Sequence, residues 1–120
     1  MEDHRRAETV LAEFAADSWR FAKDYSKVVF KLDANEQGRF ANKCHYFVQR
    51  LICSLEQVGM KVVNLENHPF EIGMAADVLN IDEFSKDDRL VVDQMLEPII
   101  LGPDGTVMRT GKFIVRKAAD

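Results

Sequence analysis

The feature that most constrains this chain is a pair of apolar stripes at helical spacing, separated by a three-residue break. In residues 7–32 the series Leu11, Phe14, Phe21, Tyr25, Val28 and Leu32 steps by threes, fours and one seven, with Ser18 in the open slot. This is a heptad seam, and Val10, Ala15, Ala22 and Val29 widen it. In residues 36–58 Phe40, Cys44, Phe47, Val48, Leu51, Ile52, Leu55 and Val58 keep to the same three-and-four spacing. The segment Asp33-Ala34-Asn35 predicts a break, with Asn35 as the cap of the second helix, and Gly59 is a natural stop. So short a link makes the two helices antiparallel neighbours.

Each stripe is too broad for one partner helix to cover. The simplest closure is a twofold dimer, two hairpins forming a four-helix bundle. Its expected interface is Leu11, Phe14, Phe21, Tyr25, Phe40, Phe47, Leu51 and Leu55, with Leu51 and Leu55 in the bundle core. Trp19 is expected in the core or the dimer interface. The alternative closure is a C-terminal region that folds back onto the hairpin.

After Gly59 the period changes from helical to alternating. Lys61–Leu65 reads as a short strand, and Glu66-Asn67-His68-Pro69 is turn chemistry. Residues 70–79 give no clear period. Leu90–Leu101 is mostly apolar and β-branched, with Pro98 marking an edge or a bulge. A short helix opening at Ser85-Lys86-Asp87-Asp88 competes with that strand. The two β-rich runs around Gly102-Pro103-Asp104-Gly105 predict a hairpin, with 106–108 and 112–116 as its last strand material. The predicted class is α+β: a helical hairpin over residues 1–59 and a small β-rich head over 60–120.

The chain of 120 residues carries a net charge of −4, which argues against a nucleic-acid surface. No apolar run reaches the roughly 18 residues of a membrane span. The first residues are charged and show no export signal, so a cytoplasmic location is expected. Cys44 and Cys53, nine residues apart, fall on opposite helix faces and read as small thiols in a reducing compartment. His4, His45 and His68 have no second ligand at a metal spacing. The acidic group Asp82, Glu83, Asp87 and Asp88 lacks calcium-loop spacing and reads as a solvated loop. Phosphate-loop and nucleophile-elbow motifs are absent. No enzyme activity and no cofactor are therefore expected; the chain reads as a binding protein.

Two segments carry a family resemblance. In FVQRLICSLEQVGMKVVNLENHPFE the carriers are Phe47, Leu51, Leu55, Gly59, Pro69, Phe70 and Glu71. In VVDQMLEPIILGPDGTVMRTGKFIV they are Val91, Val92, Asp104-Gly105, Arg109 and Val115. Over about residues 40–117 the order of parts resembles the GrpE family, nucleotide exchange factors of DnaK-type heat-shock chaperones. The resemblance implies a dimer whose head docks on the ATPase domain of a DnaK-type chaperone and favours its open cleft, so that ADP leaves sooner. It places Arg109 and Val115 at the docking surface by position, and Met108, Thr106 and Lys112 by neighbourhood. The chain departs from the family pattern at Ile72, Met74, Glu97-Pro98-Ile99 and Thr106, all in the head. A GrpE-like dimeric adaptor without exchange activity is the alternative these departures favour.

Overall fold

The computed structural model describes the backbone of residues 2–119 and side chains from Arg5 onward. Two helices, α1 (Glu2–Val29) and α2 (Ala34–Gln57), form the expected antiparallel hairpin and are followed by a small β head. The class is α+β. The break between helices is capped by Asp33, not Asn35. The Asp33 backbone is extended and its carboxylate accepts the Glu36 N–H at 2.9 Å. Glu36 stands three residues on, the spacing of a capping box, whereas Asn35 is already helical. At the other end Gly59 has φ 79°, and Gly59 N–H and Met60 N–H donate to the Glu56 and Leu55 carbonyls. This is a Schellman closure, which needs the left-handed residue that glycine supplies.

The head is two three-stranded sheets. One holds β1 (Lys61–Val63), β4 (Ile99–Leu101) and β5 (Val107–Arg109), in the order β1-β4-β5 and all antiparallel. The other holds β2 (Ala76–Val78), β6 (Gly111–Lys117) and β3 (Leu90–Glu97), in the order β2-β6-β3. In it β2 runs parallel to β6 and β3 antiparallel to β6. The predicted hairpin is the backbone of both sheets. Its two arms pass from one sheet to the other together, at buried Pro98 on one arm and Thr110 on the other. Glu97 pairs with Lys112 before the corner, and Ile100 with Arg109 after it. Proline suits this place because it ends the β3 ladder without leaving an unpaired donor. The short helix considered at Ser85–Asp88 is not formed. Ser85 N–H donates to the Asp88 carboxylate in a loop that leads into β3, and a single 3-10 turn lies upstream at Ile81–Glu83. The unread segment 70–79 supplies β2.

Hairpin and head share their core. One cluster joins Ala12, Ala15 and Ala16 of α1 to Leu55, Met60 and Ile100. The other seats Trp19 among Val92, Met95, Ile99, Phe113 and Val115. The C-terminal region thus folds back on the hairpin, the alternative closure, along the inner face of α1. That corrects part of the expected dimer interface. Leu55 is enclosed within its own chain, and Leu11 and Leu51 pack half-buried against the same cluster. Their stripe was wide enough to serve two faces, and the head covers one of them. Gly59 is a boundary in the chain and not in the packing.

A buried tie between helix and head is at Met95, beside a bulge in β3. The Trp19 indole N–H donates to the Met95 carbonyl at 2.8 Å, and Met95 N–H donates to the Glu66 carboxylate at 2.9 Å. β3 is the edge strand of its sheet, so its outward backbone groups have no strand partner, and at Met95 two side chains supply one. Trp19→Phe keeps most of the ring and removes the donor. It is expected to cost about 1–3 kcal/mol, read from urea unfolding followed by circular dichroism. An unchanged midpoint would show that the bond contributes nothing.

Candidate partner-binding surfaces

Glu97 ends β3, and its side chain is only 3% exposed. Three cations converge on it. Arg109 Nη2 reaches Oε1 at 2.8 Å, Arg20 Nη1 reaches Oε2 at 3.0 Å, and Lys112 Nζ stands 3.5 Å from Oε2. Arg109 and Lys112 come from the opposite hairpin arm, one on each side of the corner. Arg20 comes from α1, so the cluster ties the helix to the bend. Burial alone would raise the Glu97 pKa. The Arg109 hydrogen bond and the fields of Lys112, Arg109 and Arg20 outweigh it and hold the carboxyl below 4.5. Arg109 is held above its ordinary value, first by its hydrogen bond to Glu97, with smaller fields from Asp17 and Glu13. Its Nε is buried without a partner.

A second tie lies beside the first. Lys23 Nζ meets Glu66 Oε2 at 2.6 Å. Burial pushes the Glu66 carboxyl up, but the bonds from Lys23, Met95 N–H and Asn64 bring it below 4.5. These groups edge a groove of about 390 Å³ between α1, α2 and β1, floored by Trp19, Val48 and Ile52.

The docking residues expected from sequence are not all on one surface. Val115 is 2% exposed and faces inward on β6 with Phe113 and Gly111, so its side chain belongs to the head core and not to a docking surface. The alternation of β6 puts residues 111, 113 and 115 on one face. Met108 is half-buried against the first core cluster and packs over Gly102. Thr106 is exposed in the turn, where its hydroxyl donates to the Asp104 carboxylate at 2.6 Å. Arg109 and Lys112 are engaged by Glu97, each with part of its side chain in solvent. Phe70 packs edge-on against Phe113 and belongs to the head core.

The remaining expected interface residues do share a surface. On the side of the hairpin away from the head, Phe14 is 65% exposed, Phe21 68% and Phe47 45%. Tyr25 stacks on Phe21 with centroids 6.5 Å apart, and Phe40 carries Arg39 and Lys43 over its ring. Val10 and Val28 extend the patch along α1, and a shallow groove of about 190 Å³ lies between Phe21, Tyr25, Lys43, Cys44 and Phe47. Grouped exposed apolar side chains of this kind make the face a candidate interaction surface.

Sequence reading missed the Glu97 cluster. Only the hairpin register brings Arg109 and Lys112 to Glu97. The inner face of α1 had a signal: alanines at 12, 15, 16 and 22 around Trp19 allow a sheet to approach the helix closely. The side chain of His4 lies outside the described residues. Among the described residues no three metal-binding side chains cluster, and no helix is long and apolar enough to cross a membrane.

Fold and surfaces define a helical hairpin that holds a bent β head on one face and presents aromatic side chains on the other. No family model matches the chain, and no curated protein or solved structure is significantly similar to it.

The Glu97 and Glu66 shifts give a pH prediction. Both carboxyls sit below 4.5 when folded, so their contribution is complete above that value and is lost as pH falls through the lower folded values. Unfolding free energy is expected to drop on acidification below about pH 4.5, and Glu97→Gln to flatten that drop. At pH 7, Glu97→Ala is expected to cost about 2–3 kcal/mol, because it strands the cations gathered around it. An identical acid limb in Glu97→Gln would remove Glu97 from the account.

Proposed function

We propose that this protein is a homodimeric, GrpE-like co-chaperone of the cytoplasm. Its head binds the ATPase domain of a DnaK-type chaperone and promotes ADP release by favouring the open nucleotide cleft. The observation that carries the reading is the pairing of an uncovered aromatic face on the helical hairpin with a head fixed rigidly to its other face. A second copy covers the aromatic face, and the head stays free to meet the chaperone. No residue is asked to do covalent chemistry. A binding protein moves an equilibrium only by its different affinities for two states, and preference for the open cleft weakens ADP.

A second reading has its own support. The Arg109 guanidinium is engaged by Glu97, and Val115 is buried. Two positions at which the family resemblance rests a docking surface are thus occupied internally. A dimeric adaptor that keeps the scaffold and has no exchange activity fits those two observations.

Release of labelled ADP from a DnaK-type chaperone separates the readings. Exchange activity predicts acceleration of roughly fivefold or more at micromolar protein; no acceleration removes the first reading and leaves the second. Arg109→Ala is to be compared with Arg20→Ala. Both loosen Glu97, but only the first removes a head side chain. A docking role predicts loss of exchange in the first alone, and equal effects would assign Arg109 to structure. Light scattering is expected to give a dimer for the wild type and a monomer for Phe21→Glu combined with Phe47→Glu. A monomeric wild type would sink both readings.

A further inference from the structure

The free edges of the two helices carry charges at heptad spacing. On α1 and the turn just past it, Asp17, Asp24 and Lys31 are seven residues apart; on α2, Glu36, Lys43 and Arg50 are seven apart. All six are exposed, and none makes an ion pair within the chain among the described residues. At about 100° per residue Asp17 and Asp24 fall beside the Phe14–Phe21 stripe, on the side away from α2, and Lys31 follows in the turn at the end of that row. The α2 set falls beside Phe40 and Phe47, on the side away from α1. Each set therefore borders the aromatic face along its outer margin.

The two sets are also level. Cys44 Sγ approaches the Ala22 carbonyl at 3.4 Å, which fixes how α1 and α2 lie alongside each other. From that point, at about 1.5 Å per residue, Asp17 and Arg50 lie about 7.5 and 9 Å toward one end. Asp24 and Lys43 lie about 3 and 1.5 Å toward the other end, and Lys31, in the turn past α1, and Glu36, in the first turn of α2, both lie at that end of the hairpin. Read along the hairpin, α1 runs minus, minus, plus where α2 runs plus, plus, minus. Within one chain the aromatic face separates the two sets, and neither can satisfy the other.

We infer that Asp17, Asp24 and Lys31 pair with the partner's Arg50, Lys43 and Glu36 across a parallel twofold dimer, and that this ladder selects a second copy and sets its direction. The inference rests on the dimer reading above and adds its register. With the twofold axis along the helices, α1 lies on the partner's α2 at the same level, and all three pairs are of opposite sign on both sides of the interface. An axis across the helices would set Asp24 against the partner's Asp24 and Lys43 against the partner's Lys43. Flanking charges of this kind decide partner and orientation in coiled coils more than they add stability. The two heads then stand on opposite sides of the bundle at the same end.

Charge exchange tests it. One variant carries Asp17→Lys, Asp24→Lys and Lys31→Glu; a second carries Glu36→Lys, Lys43→Glu and Arg50→Glu. Each alone is expected to raise the dimer Kd roughly tenfold or more at low salt, with the effect shrinking in about 0.5 M salt. Mixed, the two are expected to form a heterodimer close to wild-type affinity, and the sixfold variant to dimerise as the wild type does. Circular dichroism of each variant confirms that its helices are intact. A wild-type dimer whose Kd ignores the exchanges, or exchanges that do not rescue each other, overturns the ladder and leaves the dimer standing. A wild type that stays monomeric removes the dimer itself.

Discussion

The backbone of Met95 is where this structure is held together. Its neighbours in β3 bulge away from a regular ladder, and both of its polar groups are met by side chains from elsewhere, Trp19 above and Glu66 beside. One turn of helix away from Trp19, Lys23 reaches the same Glu66, and next to Trp19 in the chain Arg20 reaches Glu97. Two of these contacts from one stretch of α1 land directly beside the bend of one hairpin, and the third reaches it through Glu66, which holds the Met95 N–H. A hairpin that changes sheets at Pro98 would otherwise be free to flex at the corner. Tied to α1 at Met95 and Glu97 just before the bend, it holds a fixed angle to the helix, so a force or a partner that acts on the head acts on the helices too.

This arrangement depends on α1 having two different apolar faces. The inner face is built from alanines around a single tryptophan, and small side chains let the sheets approach the helix closely enough for the indole to reach a backbone carbonyl. The outer face is built from phenylalanine, tyrosine and valine, which fill space and leave large apolar area in water. At about 25 cal/mol per Å², covering even a few such rings outweighs the gain from any one of the ion pairs at their margin. Association through this face would draw its strength from the rings and its direction from the charges.

Much of the backbone plan was legible because it rests on local signals. Helical spacing gave both helices, Gly59 gave the stop, and Gly102-Pro103-Asp104-Gly105 gave the hairpin turn. What escaped was what depends on distant pairing. The parallel strand Ala76–Val78 has no period of its own and exists because β6 offers an edge. The fold-back was underweighted because alanine scores weakly as a core residue, although its close packing here is what the head requires. Val115 was carried to a docking surface by position, while the alternation of Phe113 and Val115 with Lys112 and Arg116 already placed it inside. The Arg109–Glu97 pair joins residues twelve apart in the chain. No local rule brings them together; only the register of the bent hairpin does.

That pair also bears on how the head could meet an acidic partner. A carboxylate that took Arg109 would have to compete with Glu97 at 2.8 Å, and a lone buried glutamate would resist, since stripping its only cation leaves an unpaired charge out of water. Glu97 is not in that position. Arg20 and Lys112 remain beside it when Arg109 swings out, and Arg109 leaves behind a site where its own Nε had no acceptor. Three cations on one carboxylate therefore lower the cost of lending one of them. A head built this way holds its shape when free and gives up an arginine at a smaller cost than a single salt bridge would exact, provided the partner brings its own negative charge to the corner of the hairpin.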